Sequence, residues 1–449
     1  MMDAIRNTAL TMVTMLTSPS EMWFILIGTA VGIYVGAIPG LTGTMLISLT
    51  LPLTYYMSDV LAIDLLVALY VGSISGGLIS ATLLRIPGTP SSIVTTFDGY
   101  PMAQKGKAGK ALGLGITSSF VGGLISCFFL IFLSPLLADI ALEFGPFEIF
   151  SMVLMALVLI ASLGQESFIK GLVSGFLGML VATPGIDPIT STKRLTFGLN
   201  GLVGGLALIP ILIGMFGINQ IINELISVRN VVKSAPVKLR DMFLSLKDLK
   251  RHAVNLVRSS LIGTWIGILP GIGGNIGSIV AYSAAKNASK HPEEFGVGSE
   301  EGIVASEAAN NATINGALIP FLTLGIPGSI ITAIMMGALT LHNVVPGPLL
   351  VREHPQIFYG VISVAFIANI VMFILVLLTS VIIARIIDIP KTFLLPAIIV
   401  FCVVGSFALN NRFFDVWVMF VFGLLFLPTQ DVQKLPILPV SKLPYIMSK

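Results

Sequence analysis

Residues 32–53, GIYVGAIPGLTGTMLISLTLPL, and residues 263–282, GTWIGILPGIGGNIGSIVAY, are two versions of one pattern. Each is an apolar run broken by Pro-Gly and continued by small and polar residues. The first break carries Pro39, Gly40, Thr42, Gly43 and Thr44; the second carries Pro270, Gly271, Gly273, Gly274 and Asn275. Further along, each half holds another break at a similar separation. These are LLRIPGTPSS (residues 83–92: Pro87, Gly88, Thr89, Ser91, Ser92) and TLGIPGSIIT (residues 323–332: Pro327, Gly328, Ser329, Thr332). Proline removes a helical donor and glycine relaxes the backbone, so a helix opens at such points. One such pair reads equally as a kink or a turn. Two matching breaks in the same order in both halves read as a duplicated device.

Composition says where these breaks lie. The chain has 449 residues, 55% hydrophobic and only 10% charged, with a mean hydropathy of +0.97. Soluble domains carry about 25% charged residues. A chain this poor in charge must expose apolar side chains to lipid. The expected fold is therefore all-α and polytopic, with about ten to twelve embedded helical segments, several of them broken or re-entrant. Open backbone at membrane depth is tolerated only where it is buried or lines a cavity. There it offers half-helix N-termini to an anion. Paired interrupted segments are the sequence pointer to a secondary transporter's site.

Runs long enough to enter the membrane include residues 22–56, 60–84, 111–137, 202–226, 302–324 and 357–387. Basic residues cluster in 229–258 and again in 98–110, which places both loops on the cytoplasmic side. The expected organisation is a first transmembrane half (1–228), a basic linker (229–258), a second half (259–428) and a proline-rich tail (429–449). The start of the chain lacks the basic n-region of a cleavable signal peptide.

The most polar embedded stretch is residues 301–329, EGIVASEAANNATINGALIPFLTLGIPGS. On a helix, Glu307, Asn310, Asn311 and Asn315 share one broad face. Amides and carboxylates at membrane depth are costly and are usually functional. The asparagines are expected to line a pathway. For Glu307, a pathway role and an interfacial position both stay open.

Other chemistry is sparse. Cys127 and Cys402 lie in apolar runs without a CxxC and read as buried hydrophobes. His252, His291 and His354 read as solvated loop residues, and His342 as a helix end. No HExxH, Walker A or GxSxG pattern is present, so neither an enzyme nor an ATP-driven pump is indicated, and no cofactor is expected. The net charge of +3 gives no reason to expect nucleic acid.

These stretches resemble the large membrane subunit of the bacterial tripartite tricarboxylate transporters. The resemblance rests on GAIPGLTGT, LRIPGTPSS, DGYPMAQKGKAGKALG, GIDPITSTKRLTFG, SLIGTWIGILPGIGG, SEAANNATINGALIPFLTLGIPGS, VVPGPLL and ALNNRFFDVWVM, in family order from about Gly28 to Gly423. It implies a permease of the bacterial inner membrane that takes up a carboxylate, coupled to a sodium or proton gradient. It also implies two partners, a periplasmic solute-binding protein and a small membrane subunit. Arg85 stands where the family carries an uncharged polar residue. It either pairs with a substrate carboxylate or snorkels to the interface. Ser306 replaces a common proline, which is expected to move a helix start. The tail, residues 426–449, is short and polar where the family continues hydrophobic. That leaves a second expectation, an inactive or truncated paralogue, and a third, an intramembrane enzyme, for which the chain lacks grouped catalytic residues.

Overall fold

The computed structural model describes residues 2–162, 168–187, 191–226, 237–270, 273–386 and 391–425. Two compact units emerge, and neither is continuous in sequence. One joins residues 1–181 to 232–389; the other joins 182–231 to 390–449. Of the basic stretch 229–258, residues 246–258 are the opening turns of a helix. The tail, 426–449, lies outside the described residues.

The larger unit holds α1 (Met2–Thr17), α2 (Pro19–Ala37), α3 (Gly43–Thr54), α4 (Asp59–Leu84), α5 (Thr95–Met102), α6 (Ala108–Ala141), α7 (Pro146–Ser162) and α8 (Phe168–Ala182). In the smaller unit lie the two-residue strands β1 (Gly185–Ile186) and β2 (Lys193–Arg194), then α9 (Asn200–Val203), α10 (Leu208–Leu212) and α11 (Asn219–Ile226). The larger unit resumes with α12 (Leu246–Ile268), α13 (Gly273–Ala288), α14 (Glu300–Leu324), α15 (Ile330–Leu341), α16 (Leu350–Glu353) and α17 (Pro355–Ile386). The smaller unit is completed by α18 (Lys391–Asn410) and α19 (Phe413–Leu425). Among the described residues, five helical stretches are long and apolar enough to cross a membrane, and several shorter apolar helices accompany them.

The Pro-Gly signals end helices where the sequence places them. The run 22–56 divides into α2 and α3 around Ile38–Thr42. Thr42 caps α3, its hydroxyl accepting from the Met45 amide at 3.1 Å. Likewise α14 starts at the cap Ser299, whose hydroxyl accepts from Gly302 N at 3.3 Å, and Ser306 lies inside the helix rather than at its start. Its other end closes on Gly325 at φ +66°, the left-handed cap that glycine adopts without strain. The equivalent cap of α4 is Arg85 at φ +58°, where an L side chain is strained.

The duplication is physical. A Cβ on Gly36 would lie 2.1 Å from the Ser73 carbonyl oxygen, and one on Gly267 would lie 2.6 Å from the Thr313 carbonyl oxygen. Backbones therefore touch at matching points. Gly28 meets Leu65 and Gly36 meets Ser73, so α2 runs parallel to α4; Gly263 meets Ala309 and Gly267 meets Thr313, so α12 runs parallel to α14. Beyond the left-handed caps the chain doubles back in both halves. Gly88 returns against Gly77 and the Gly36 carbonyl, and Gly328 returns against Ala317 and the Gly267 carbonyl.

The halves interlock. Helix α6, from the first, packs along α14 of the second, while α17 packs along α4. Neither half encloses its own long helix, so α4 and α14 sit at the centre and are buried nearly throughout.

Candidate functional site

Interlocking pairs each break with one from the opposite half. The α2–α3 break touches the second half's second break: a Cβ on Gly43 would lie 3.6 Å from Ile331 Cδ1, and the Tyr70 and Ser329 hydroxyls are 3.2 Å apart. The α12–α13 break touches the first half's second break. A Cβ on Gly274 would meet Ser91 Cβ at 3.1 Å, Thr313 Oγ1 at 3.0 Å and Asn310 Oδ1 at 3.3 Å. Thus Pro39, Gly40, Thr42, Gly43 and Thr44 come together with Pro327, Gly328 and Ser329. Pro270, Gly273 and Gly274 come together with Pro87, Gly88, Thr89 and Ser91. Gly271 lies outside the described residues, and Asn275 points to the exterior of α13.

Polar satisfaction differs sharply within this centre. Thr89 and Ser91 hydroxyls are 3.2 Å apart, and the Ser92 hydroxyl donates to Thr89 O at 2.8 Å, closing a capping turn. Ser329 and Thr332 make the matching turn, with the Ser329 amide donating to Thr332 Oγ1 at 2.9 Å. The Ser75 hydroxyl donates to Asn311 Oδ1 at 2.7 Å. Asn310, by contrast, is fully buried with neither side-chain atom in a hydrogen bond, and Asn311 Nδ2 is also unpartnered. A buried amide without partners is destabilising by a few kcal/mol.

Three expectations take a different place. Asn315 turns away to α6, donating to Ser126 Oγ at 2.7 Å and to Gly123 O at 3.0 Å, so that its amide nitrogen clamps two helices. Arg85 is exposed, its guanidinium 5.9 Å above the Tyr100 ring. His252 is buried and not solvated: its Nε2 lies 3.4 Å from Glu300 Oε2.

Sequence reasoning passed over two groups. Asp98, read as part of a basic loop, is a buried carboxylate on α5. Its Oδ1 accepts from the amides of Gly296, Gly298 and Ser299, each at 2.8 Å, and Tyr282 donates its hydroxyl to Oδ2 at 2.8 Å. The only sequence signal was an aspartate preceding a glycine pair distant in the chain. Thr95, on the same helix, donates to Glu307. Glu307 is fully buried within the protein.

A polar cap covers the start of α14. Glu300 takes Lys110 and His252 as partners, with Arg251 at 3.9 Å. The His252 hydrogen bond, followed by Lys110, holds the Glu300 carboxyl down at about 2. A cleft of about 330 Å³ opens beside it, lined by Lys105, Lys107, Arg251, His291, Glu294 and Glu301. None of the four breaks reaches that cleft. Among the described residues no three His, Cys, Asp or Glu side chains group as a metal site. Both cysteines are free and buried.

Comparison with known proteins finds two curated relatives. A curated Agrobacterium vitis protein, an uncharacterised 52.8 kDa protein in the TAR-I ttuC' 3' region, is 37% identical over 426 residues, covering 95% of this chain and 84% of the relative. A second from the same organism, in the TAR-II ttuC' 3' region, is 40% identical over 163 residues, covering 36% of this chain and 67% of the relative. No solved structure matches. The family model for the tripartite tricarboxylate transporter TctA family matches residues 22–438. With its breaks paired across a duplicated helical core, this chain belongs to the tripartite tricarboxylate transporter TctA family.

Proposed function

We propose that this chain is the permease subunit of a secondary transporter that imports a carboxylate, coupled to a cation gradient. It works in the bacterial inner membrane with a periplasmic solute-binding protein and a small membrane subunit. One observation carries this reading: helix breaks pair across the two halves, and one pair, at Gly274 and Ser91, lies beside Asn310, a buried amide with no hydrogen-bond partner. The N-termini of α3, α13 and α15 start at these breaks. Each brings free N–H groups and the positive end of its dipole to a point where a carboxylate would be held. The Asn310 amide nitrogen offers N–H donors to the same carboxylate.

Alternating access requires two interlocked repeats to move about a shared site. Doubled-back segments after α4 and α14 supply it, because each touches the opposite half. The basic stretches 98–110 and 229–258 assign the polar cap at Glu300 to the cytoplasmic side.

Reconstitution tests the reading. Proteoliposomes containing the chain and its small subunit should accumulate a labelled carboxylate only with the binding protein and an imposed sodium or proton gradient. Equal uptake without the binding protein would remove the tripartite assignment. Failure to accumulate any carboxylate under every gradient would favour the inactive paralogue.

A further inference from the structure

At one matched position the second half carries a carboxylate where the first has valine; the buried acid of α4, Asp64, lies at a different position. Glu307 precedes Thr313 by the same interval that separates Val67 from Ser73, and Ser73 and Thr313 hold matching backbone contacts with α2 and α12. Valine fills the position in one repeat, so packing does not require an acid in the other. Burying a carboxylate at membrane depth is costly unless it has a partner. Among the described residues no lysine, arginine or histidine pairs with Glu307.

Its surroundings are hydroxyls. Thr95 donates to one carboxylate oxygen and Ser119 donates to the other at 3.0 Å, while Ser306 Oγ lies 3.2 Å from Thr95 Oγ1. All four side chains are buried. Asn310, one turn on along α14, adds an unpartnered carbonyl oxygen. The nearby charged groups of the packed elements are committed elsewhere. On α5, Asp98 is held by three amides and Tyr282 of α13. On α6, Lys110 is with Glu300 of α14 and near Asp248 of α12. On α12, His252 meets Glu300 and Arg258 donates to Asn255.

We infer that Glu307, with Thr95, Ser119 and Ser306, seats the single monovalent cation, sodium or proton, that drives transport. This rests on the transporter reading above and adds to it the place and means of coupling. Hard oxygen donors and one negative charge suit either ion. The seat joins α14 to α5, and α5 continues from the Thr89–Ser92 turn that meets Gly274 and Asn310. Filling the seat neutralises the acid and fixes that turn. Emptying it leaves a bare negative charge beside a site for an anion, so carboxylate and cation load together.

Cation binding can be read without transport. The purified chain is melted across a sodium titration at fixed pH in choline buffer, and across a pH titration without sodium. Wild type should gain several degrees in one titration, as linkage requires for a ligand that binds only the folded state. A gain with sodium alone identifies sodium; a gain on acidification alone identifies the proton. Glu307→Gln, which keeps the acceptor oxygen for Thr95, should melt as a folded protein and show neither gain. Thr95→Val should weaken the gain while Glu307 remains.

In proteoliposomes, Glu307→Gln should lose gradient-driven accumulation at least tenfold. A wild-type gain that persists undiminished in Glu307→Gln would overturn the assignment, as would the absence of any gain in wild type. If the cation gain follows Glu307 but no carboxylate is transported, the seat stands and the transporter reading falls.

Discussion

The two repeats share a backbone and differ in chemistry. In both, a helix ends at Pro-Gly, a long buried helix follows in parallel, and the chain returns past a left-handed cap to a Ser/Thr turn. Around that common frame the first half places Val67 and Tyr70 where the second places Glu307 and Asn310. Tyr70 satisfies its hydroxyl across the interface on Ser329, whereas Asn310 satisfies nothing. Contact geometry keeps the frame in both halves, while the polar chemistry differs between them. Duplication supplies broken helices twice, but an anion and a cation need only one charged seat.

The largest effects should come from the frame. Gly88→Val and Gly328→Val each put a side chain onto a backbone carbonyl, 2.0 Å and 2.8 Å from a Cβ, respectively. Each should lower stability by about 4 kcal/mol or block insertion, abolishing uptake. Melting in detergent and membrane yield measure this. If one half tolerates the change, the repeats are not mechanically equivalent.

Next, Asn310→Ala should abolish uptake while stability stays within about 1 kcal/mol of wild type. Removing an unpaired buried amide recovers roughly what the small cavity loses. Tyr70→Phe, its counterpart, should do the reverse: a loss of about 1 kcal/mol from the Ser329 hydrogen bond. Normal uptake by Asn310→Ala would remove the asymmetry.

Arg85→Gly should raise stability by about 1 kcal/mol, because glycine accepts the left-handed cap that Gly325 already occupies. Melting temperature measures the gain, and uptake should survive. Loss of uptake would restore Arg85 as a partner for the substrate carboxylate.

The smallest effect concerns acid. Glu300 is held at about 2 against an ordinary value of 4.5. A depressed carboxyl stabilises the fold above its unfolded pKa, and that stability fades as pH falls from about 4.5 towards 2. Because the pair is partly solvated, the loss should be on the order of 1 kcal/mol. Glu300→Gln should flatten the melting profile across that window.

Much of this was legible before any coordinates. Pro39, Pro87, Pro270 and Pro327 announce their breaks because proline has no donor to continue a helix, and the capping residues Thr42, Ser299 and Ser329 follow local rules. Asn310 and Asn311 stand out by polarity in an apolar run. Other features were hidden because the partners are remote in sequence. Asp98 reads as one acid among lysines until the Gly296–Ser299 amides arrive from the other half. His252 reads as solvated until α14 brings Glu300. The smaller unit, built from 182–231 and 390–449, carries no sequence sign of its pairing.

Sequence by itself determined that this chain lives in lipid, that it is duplicated, and where its helices break. Those properties follow from composition and from local backbone chemistry, which act within a few residues. Only the tertiary structure decided that the halves interlock, that each break meets one from the opposite half, and that Glu307, among the described residues, meets hydroxyls and no basic side chain. Such facts depend on which helices share a surface, and steric fit between α4, α14 and their neighbours sets that, not any pattern along the chain.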